Sequence, residues 1–284
     1  MKTEDAKILA ESALETLTTQ LESGRSAALT TYLAAMARFH RYSVNNVLLI
    51  QSQRPGAMRV AGFATWRQLG RFVRRGEKGI AILVPLSYRR RDPENVTDAL
   101  ASDCDAVRTL VGFKPGYVFD VSQTDGEPLA ALPEVGGDPG AFATRLSAFA
   151  ESRGIGIAYA NDKLGSAYGA SFGGRILLRD DLSPAVEFSV LVHEIAHELL
   201  HRGDRRVATS KMVRETEAEA VAFVVSDAIG LHTSTAASDY IQLYAGSKDS
   251  LLASLEAIRH TAVQILDAIQ GDRRLSAALA LRSA

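Results

Sequence analysis

The chain has 284 residues, 46% hydrophobic and 23% charged, which excludes wholesale disorder and gives enough chain for two domains with packed cores. Its single cysteine, Cys104, excludes an internal disulfide framework and a thiolate zinc cage. The net charge of −1 conceals a steep segregation. Between Ser23 and Arg91 there are thirteen basic residues and one acid, Glu77, so this stretch carries +12 and the rest of the chain −13.

In chain order, Ile8, Leu9, Leu14, Leu17 and Leu21 fall near helical spacing and predict an amphipathic helix over 6–21. A second helix is expected over 27–39. A third is capped by Ser43, carries Val44, Val47, Leu48 and Ile50, and stops at Pro55-Gly56. Thr65 is the expected cap of a short helix with Trp66 and Leu69. After the turn Gly76-Glu77-Lys78-Gly79, the alternation of Ile80, Ile82, Val84 and Leu86 reads as a strand, and 107–113 and 117–121 as two more. A polar loop is expected over 94–105. Residues 127–140, rich in proline and glycine, read as a linker between a domain at 1–126 and another at 141–284. Asp138-Pro139 is expected to open a helix to Arg153 and Ser183-Pro184 a longer one to about Arg202. Short strands fall at 155–159 and 175–179, a helix at 211–229, and helices at 238–244, 248–269 and 273–283. The fold class is α+β: a small mixed N-terminal domain with a short sheet, then a mainly helical domain with a short sheet. The mixed-charge N-terminus and the absence of any apolar run near ~18 residues predict a cytoplasmic protein without membrane partners.

The long helix contains His193-Glu194-Ile195-Ala196-His197. Histidines four apart stand one turn apart on one helical face, so both imidazoles can meet one metal ion. Glu194, about 100° around the helix, reaches water activated by the metal rather than the metal, as a general base for hydrolysis requires. A catalytic zinc takes three protein ligands and keeps a fourth position open. His201 lies a further turn along and is a poor candidate for the same ion. The longer zinc signature fails, with Leu200 at the glycine position and Gly203 at the histidine position. A second helix must therefore contribute, and Arg214-Glu215-Thr216-Glu217-Ala218-Glu219 has the small residues that permit close packing. Glu215 and Glu219 share a face. Glu215 is the expected ligand, Glu219 the residue that orients a histidine from behind, and Glu217 the alternative ligand. Tyr168 is a candidate oxyanion donor, and the strand at 175–179 a candidate edge for an extended peptide.

The basic stretch interleaves arginines with Tyr32, Phe39, Tyr42, Phe63, Trp66, Phe72 and Tyr88. Cations that follow phosphates and rings that stack on bases are the composition of a single-strand-binding surface. His40 could join it.

Glu215, Ala218 and Glu219 following His193-Glu194-x-x-His197 resemble the Glu-zincin arrangement of ImmA/IrrE-type metallopeptidases. The run from Tyr42 to Ile50, Gln53-x-Pro55, Gly62-Phe63-x-x-Trp66, Gly70-Arg71, Gly76-Glu77-Lys78-Gly79-Ile80 and the run from Tyr117 to Thr124 resemble the single-stranded-DNA-binding domain of ArdC-like antirestriction proteins. The resemblance implies a DNA-binding module joined to a zincin domain and a link to evasion of restriction. With the charge pattern, it points to Arg38, Arg41, Asn46, Arg54, Trp66, Arg71, Arg74, Arg75 and Lys78 as DNA contacts. The expected protein is thus a zinc-dependent peptidase acting on an unidentified protein and guided by single-stranded DNA. The alternative is a non-catalytic DNA-binding antirestriction protein with a structural or silent zinc site.

Overall fold

Ala6, Ala10, Leu14, Leu17 and Leu21 form a buried stripe along the first helix, α1 (Thr3–Glu22). The computed structural model describes residues 2–23, 26–89, 108–128, 137–162, 164–165, 167–231 and 247–271. Arg25, Arg90, Arg91, Cys104, His232, the loop at 94–105, the middle of the expected linker and the helices expected at 238–244 and 273–283 lie outside the described residues.

Helix α2 (Ser26–Arg38) is followed by α3 (Val44–Gln53), where the Ser43 hydroxyl accepts the Asn46 N–H at 3.3 Å, the cap its position predicts. Strand β1 (Val60–Ala61) leads to α4 (Phe63–Gln68), which is preceded by Gly62 rather than capped by Thr65. Then come β2 (Arg71–Val73), β3 (Ile80–Arg89), β4 (Arg108–Asp120), a 3-10 turn at Val121–Gln123 and β5 (Thr124–Gly126). The two strands expected at 107–113 and 117–121 are one strand, β4. Pro115 sits opposite Leu83, where β1, which reaches only Phe119 and Asp120, leaves β4 open on its other side, so the missing N–H is tolerated. The order β1-β4-β3 is antiparallel, and β2 pairs with β5 in a separate two-stranded ribbon.

The second half runs α5 (Ala141–Ser152), β6 (Gly156–Tyr159), β7 (Gly169–Ser171), β8 (Arg175–Leu178), α6 (Pro184–Leu200), α7 (Gly203–Ala208), α8 (Lys211–Ala228) and α9 (Lys248–Gln270). Helix α5 begins after Gly140, two residues later than Asp138-Pro139 suggests, because the Asp138 side chain closes a turn on the Gly140 N–H at 2.8 Å. In the sheet β6-β8-β7, β8 is central, parallel to β6 and antiparallel to β7. Helix α6 packs on β7, β8 and α8, and α8 in turn on α9 and α2.

Two compact units result, one of Met1–Ala13 with Leu48–Glu127, the other of Leu14–Val47 with Pro128–Ala284. The first contains the β1-β4-β3 sheet; the second contains α2 and everything that follows the proline- and glycine-rich stretch. Residues 14–47 thus group with the C-terminal half, unlike the boundary read from composition. The molecule is α+β, with most of its helix in the second unit.

Candidate metal centre

Helix α6 is apolar on the faces that meet the sheet and α8, with Phe188, Leu191, Val192, Ile195 and Ala196 buried. That packing fixes its rotation and turns His193 and His197 towards α8, whose Ala218, Ala220 and Ala222 are buried and leave room for close approach. Among the described residues, His193, His197 and Glu215 form a group of three possible ligands with donor atoms within 4.8 Å of one another. The Nε2 atoms of His193 and His197 are 3.0 Å apart. Glu215 Oε2 is 3.6 Å from the first and 3.4 Å from the second. Donors held about 2.0–2.2 Å from one tetrahedral ion stand about 3.3–3.6 Å from each other. The donor set and its spacing therefore fit a divalent cation.

The surroundings prepare the site. Glu219 Oε2 stands 3.4 Å from His193 Nδ1, on the far side of the ring from the cluster. Burial favours the neutral His193 ring, but hydrogen bonds to Glu215 and Glu219 and the charge of Glu194 outweigh it, pushing the pKa up to about 9. A hydrogen bond from His193 and the closeness of the His197 ring hold Glu215 far below the usual carboxylate range, against the effect of burial. Carboxylates gathered around two imidazoles make a site that attracts positive charge.

Glu194 is 7% exposed. Burial pushes its carboxyl up, the neighbouring His193 and His197 oppose this, and Glu215 adds to it, with a net rise. Ser171 of β7 hydrogen-bonds Glu194, and Gly169 brings the same strand against α6. A Cβ on Gly169 would lie 2.7 Å from Val190 Cγ1 and 3.2 Å from Glu194 Cγ, so only glycine permits this approach. The strand at 175–178 is β8, with both edges occupied, so it cannot take an added peptide strand. Among the described residues, the edge strand beside Glu194 is β7, which composition does not reveal. Tyr168, directly before β7, is exposed, as is Phe172 directly after it.

The turn between β7 and β8 is tied down by Glu198, one residue past His197. Its carboxylate accepts the N–H groups of Gly173 at 2.8 Å and Gly174 at 2.7 Å and is also met by Arg202. Both glycines have positive φ, 70° and 96°, the signature of a type I′ hairpin turn. Glu217, the alternative ligand, points away from the cluster to His201, with Nε2 and Oε2 2.9 Å apart.

The residues expected to meet DNA fall into three groups. Trp66 is 2% exposed and donates its indole N–H to the Phe119 carbonyl at 2.9 Å, so its ring has no free face. Asn46 is also buried. Arg54, Arg71 and Arg74 are bound up in the fold. Arg71 donates to the Thr124 hydroxyl at 2.8 Å, the Thr124 carbonyl at 2.9 Å and the Gly126 carbonyl at 3.2 Å. Arg74 donates to the Ser122 carbonyl at 2.6 Å and pairs with Glu77, and Arg54 donates to the Ser122 hydroxyl at 3.0 Å. Arg38 lies 6.0 Å from the Phe39 ring centre and Arg41 pairs with Asp267; both belong to the second unit. Arg75 and Lys78 are exposed in the first unit, with Arg67, Phe63 and Phe72. Tyr32 and Phe39 are core residues.

Residues 6–119 match the family model of the N-terminal domain of the anti-restriction factor ArdC. The fold is similar to that of the antirestriction ArdC protein of plasmid R388. The metal-free form of that protein superposes with a TM-score of 0.53 at 18% identity, over 92% of this chain and 98% of that one. Its Mn(II)-bound form gives 0.54 at 17%, over 93% and 99%. Over residues 6–119 the chain is similar to the ArdC N-terminal domain, and its fold is similar to that of the R388 protein. An uncharacterized Bacillus anthracis protein is 29% identical over 250 residues, 72% of this chain, which spans 41% of that relative's length. The ArdC match covers the basic stretch through β4 and stops well short of the histidine helix. No helix among the described residues is long and apolar enough to cross a membrane.

Proposed function

We propose that this ArdC-like protein is a DNA-binding metallopeptidase of antirestriction type, in which His193, His197 and Glu215 hold a zinc ion and Glu194 is the general base. The carrying observation is the triangle of donor atoms with the buried Glu194 beside it and β7, an edge strand among the described residues, next to Glu194. A divalent cation bound there would polarise a peptide carbonyl and acidify water. The remaining chemistry belongs to the chain. β7 is the strand proposed to receive an extended peptide along its outer side, held in register by main-chain hydrogen bonds. Glu194, with its carboxyl raised by burial, takes a proton from water and returns it to the departing amine. Tyr168, exposed at the head of β7, is the proposed donor to the oxyanion. Zinc follows from two imidazoles and one carboxylate; manganese, bound by the R388 ArdC protein, is the competitor to test beside it. Single-stranded DNA is the proposed partner of the first unit, through the exposed Arg67, Arg75, Lys78, Phe63 and Phe72.

The test uses the purified full chain, loaded with zinc or with manganese and incubated with casein in the presence and absence of single-stranded DNA. Mass spectrometry then counts new peptide termini. Glu194→Gln should keep the metal and lower cleavage about 10²–10⁴-fold. Equal cleavage by the variant, or none by the native protein with either metal, overturns the peptidase reading.

A further inference from the structure

Behind His197 lies a buried polar chain that neither the metal cluster nor the strand edge uses. His197 Nδ1 is 3.0 Å from His201 Nδ1. His201 Nε2 is 2.9 Å from Glu217 Oε2, and both side chains are 0% exposed. The other oxygen of Glu217 accepts Arg205 at 2.6 Å, and Ser254 of α9 also hydrogen-bonds this carboxylate. The chain ties the end of α6 to α7, α8 and α9.

The hydrogens on this chain can be assigned one by one. Arg205 only donates, and the Glu217 carboxylate only accepts. The His201 nitrogen facing Glu217 must then carry its hydrogen, which leaves Nδ1 of the neutral ring bare. Two imidazole nitrogens 3.0 Å apart form a hydrogen bond only if one of them bears hydrogen, so His197 donates from Nδ1. The Nε2 lone pair of His197 is thereby left free and aimed at His193 Nε2 and Glu215. Assigned from the other end, a cation on His197 Nε2 requires the same arrangement throughout.

We propose that His201 and Glu217 are a positioning pair that locks His197 in its metal-binding tautomer, an inference that rests on the metal-binding reading above. Without an acceptor at His201 Nδ1, the His197 ring is free to place its hydrogen on Nε2, in the path of the metal. Partners of this kind behind a ligating histidine typically account for 10–100-fold in metal affinity. Neither residue touches the metal position. Sequence spacing makes His201 a poor ligand for the same geometric reason that lets it reach the back of His197, one turn along the same face.

Three variants of the full chain test the pair, with zinc affinity read by chelator competition and site geometry by the visible absorption of the cobalt(II)-loaded protein. His201→Phe keeps bulk and removes the acceptor, and should weaken zinc binding about 10–100-fold and alter the cobalt spectrum. Glu217→Gln is isosteric. Arg205 claims its amide oxygen and the NH2 group faces His201, reversing the hydrogen assignment, so it should weaken binding by a similar factor; it carries the test if His201→Phe does not fold. His201→Asn, whose Oδ1 can accept in place of Nδ1, should recover affinity to within about threefold of the native protein, a rescue that a merely structural role would not give. Affinities for His201→Phe and Glu217→Gln within about twofold of native, with an unchanged cobalt spectrum, overturn the pair while leaving the metal site standing. A native protein that takes up neither zinc nor cobalt overturns both.

Discussion

Asp120 shows how a single side chain in the first unit decides what its neighbours are free to do. Its carboxylate is 1% exposed and accepts the N–H groups of Met58 at 2.8 Å, Arg59 at 3.1 Å and Ser122 at 3.0 Å, with the Ser122 hydroxyl. Burial raises its pKa, but these hydrogen bonds outweigh it and leave the carboxyl below its ordinary value. A carboxyl depressed in the folded state contributes stability that is present above its unfolded pKa, ~4, and lost as pH falls through the folded one. Asp120→Asn should therefore lower stability by about 2–3 kcal/mol at pH 7, because one amide N–H is forced against backbone donors. The gap from the native protein should close below about pH 4 in thermal melts; a gap independent of pH would show that the charge is not what matters. The same reading separates what the sequence makes legible from what it does not. Gln53, which pairs with both backbone groups of Ala81, and Trp66, Arg71, Asp120 and Gln123 belong to the motifs that carry the ArdC resemblance. They build the fold, which is why they mark the ArdC pattern so well and say little about contacts with DNA. An arginine that props up a turn and one that waits for phosphate look identical in a sequence.

At the scale of elements, the histidine helix is legible because its chemistry has a spacing, and the strand beside it is not because its role depends on small size. Gly169-Ala170-Ser171 has no alternation and no branched residue, yet it forms the edge next to Glu194. Helix α7 escapes for a similar reason: it buries no residue. Glu219 and Glu215 are placed by helical spacing, whereas the turning of Glu217 towards His201, Arg205 and Ser254 depends on α7 and α9, whose positions no local pattern gives. The hairpin that presents β7 depends on Glu198, which holds two glycine N–H groups with one carboxylate. Glu198→Gln turns one acceptor into a donor facing an N–H. We expect hydrogen exchange at Gly173 and Gly174 to quicken about tenfold, the effect of losing ~1.4 kcal/mol locally. Zinc content and the protection of α6 should stay as they are. Unchanged exchange in the turn would mean that the hairpin holds its shape without the carboxylate, and Glu198 would lose its role in presenting the strand.

Across the whole molecule, the charge segregation is plain in the sequence, but its distribution over the two units is not. Of the residues named for DNA, Arg38, Arg41 and Asn46 group with the helical unit, and Arg54, Arg71 and Arg74 are hydrogen-bonded to Ser122 and Gly126 of the first unit. Among the side chains that the first unit leaves exposed are Arg67, Arg75 and Lys78, with Phe72 at 57% and Phe63 at 51% exposure. Rings and cations contribute to single-strand binding through different physics, so variants can tell them apart. Each phosphate contact releases counterions, and the logarithm of affinity falls with the logarithm of salt by about 0.7 per contact on a single strand. Lys78→Ala and Arg75→Ala should each flatten that slope by about 0.7. Phe72→Ala should leave the slope unchanged and weaken binding by about 1–3 kcal/mol at every salt concentration, the cost of losing one stacked base. Trp66→Ala belongs to neither class. Removing a ring buried to 2% should cost about 3–5 kcal/mol of folding stability, and any loss of DNA binding should follow the unfolding of the unit. Fluorescence anisotropy over a salt series reads slope and affinity together. If Phe72→Ala changes the slope, or Lys78→Ala leaves it intact, these exposed residues do not form the binding surface.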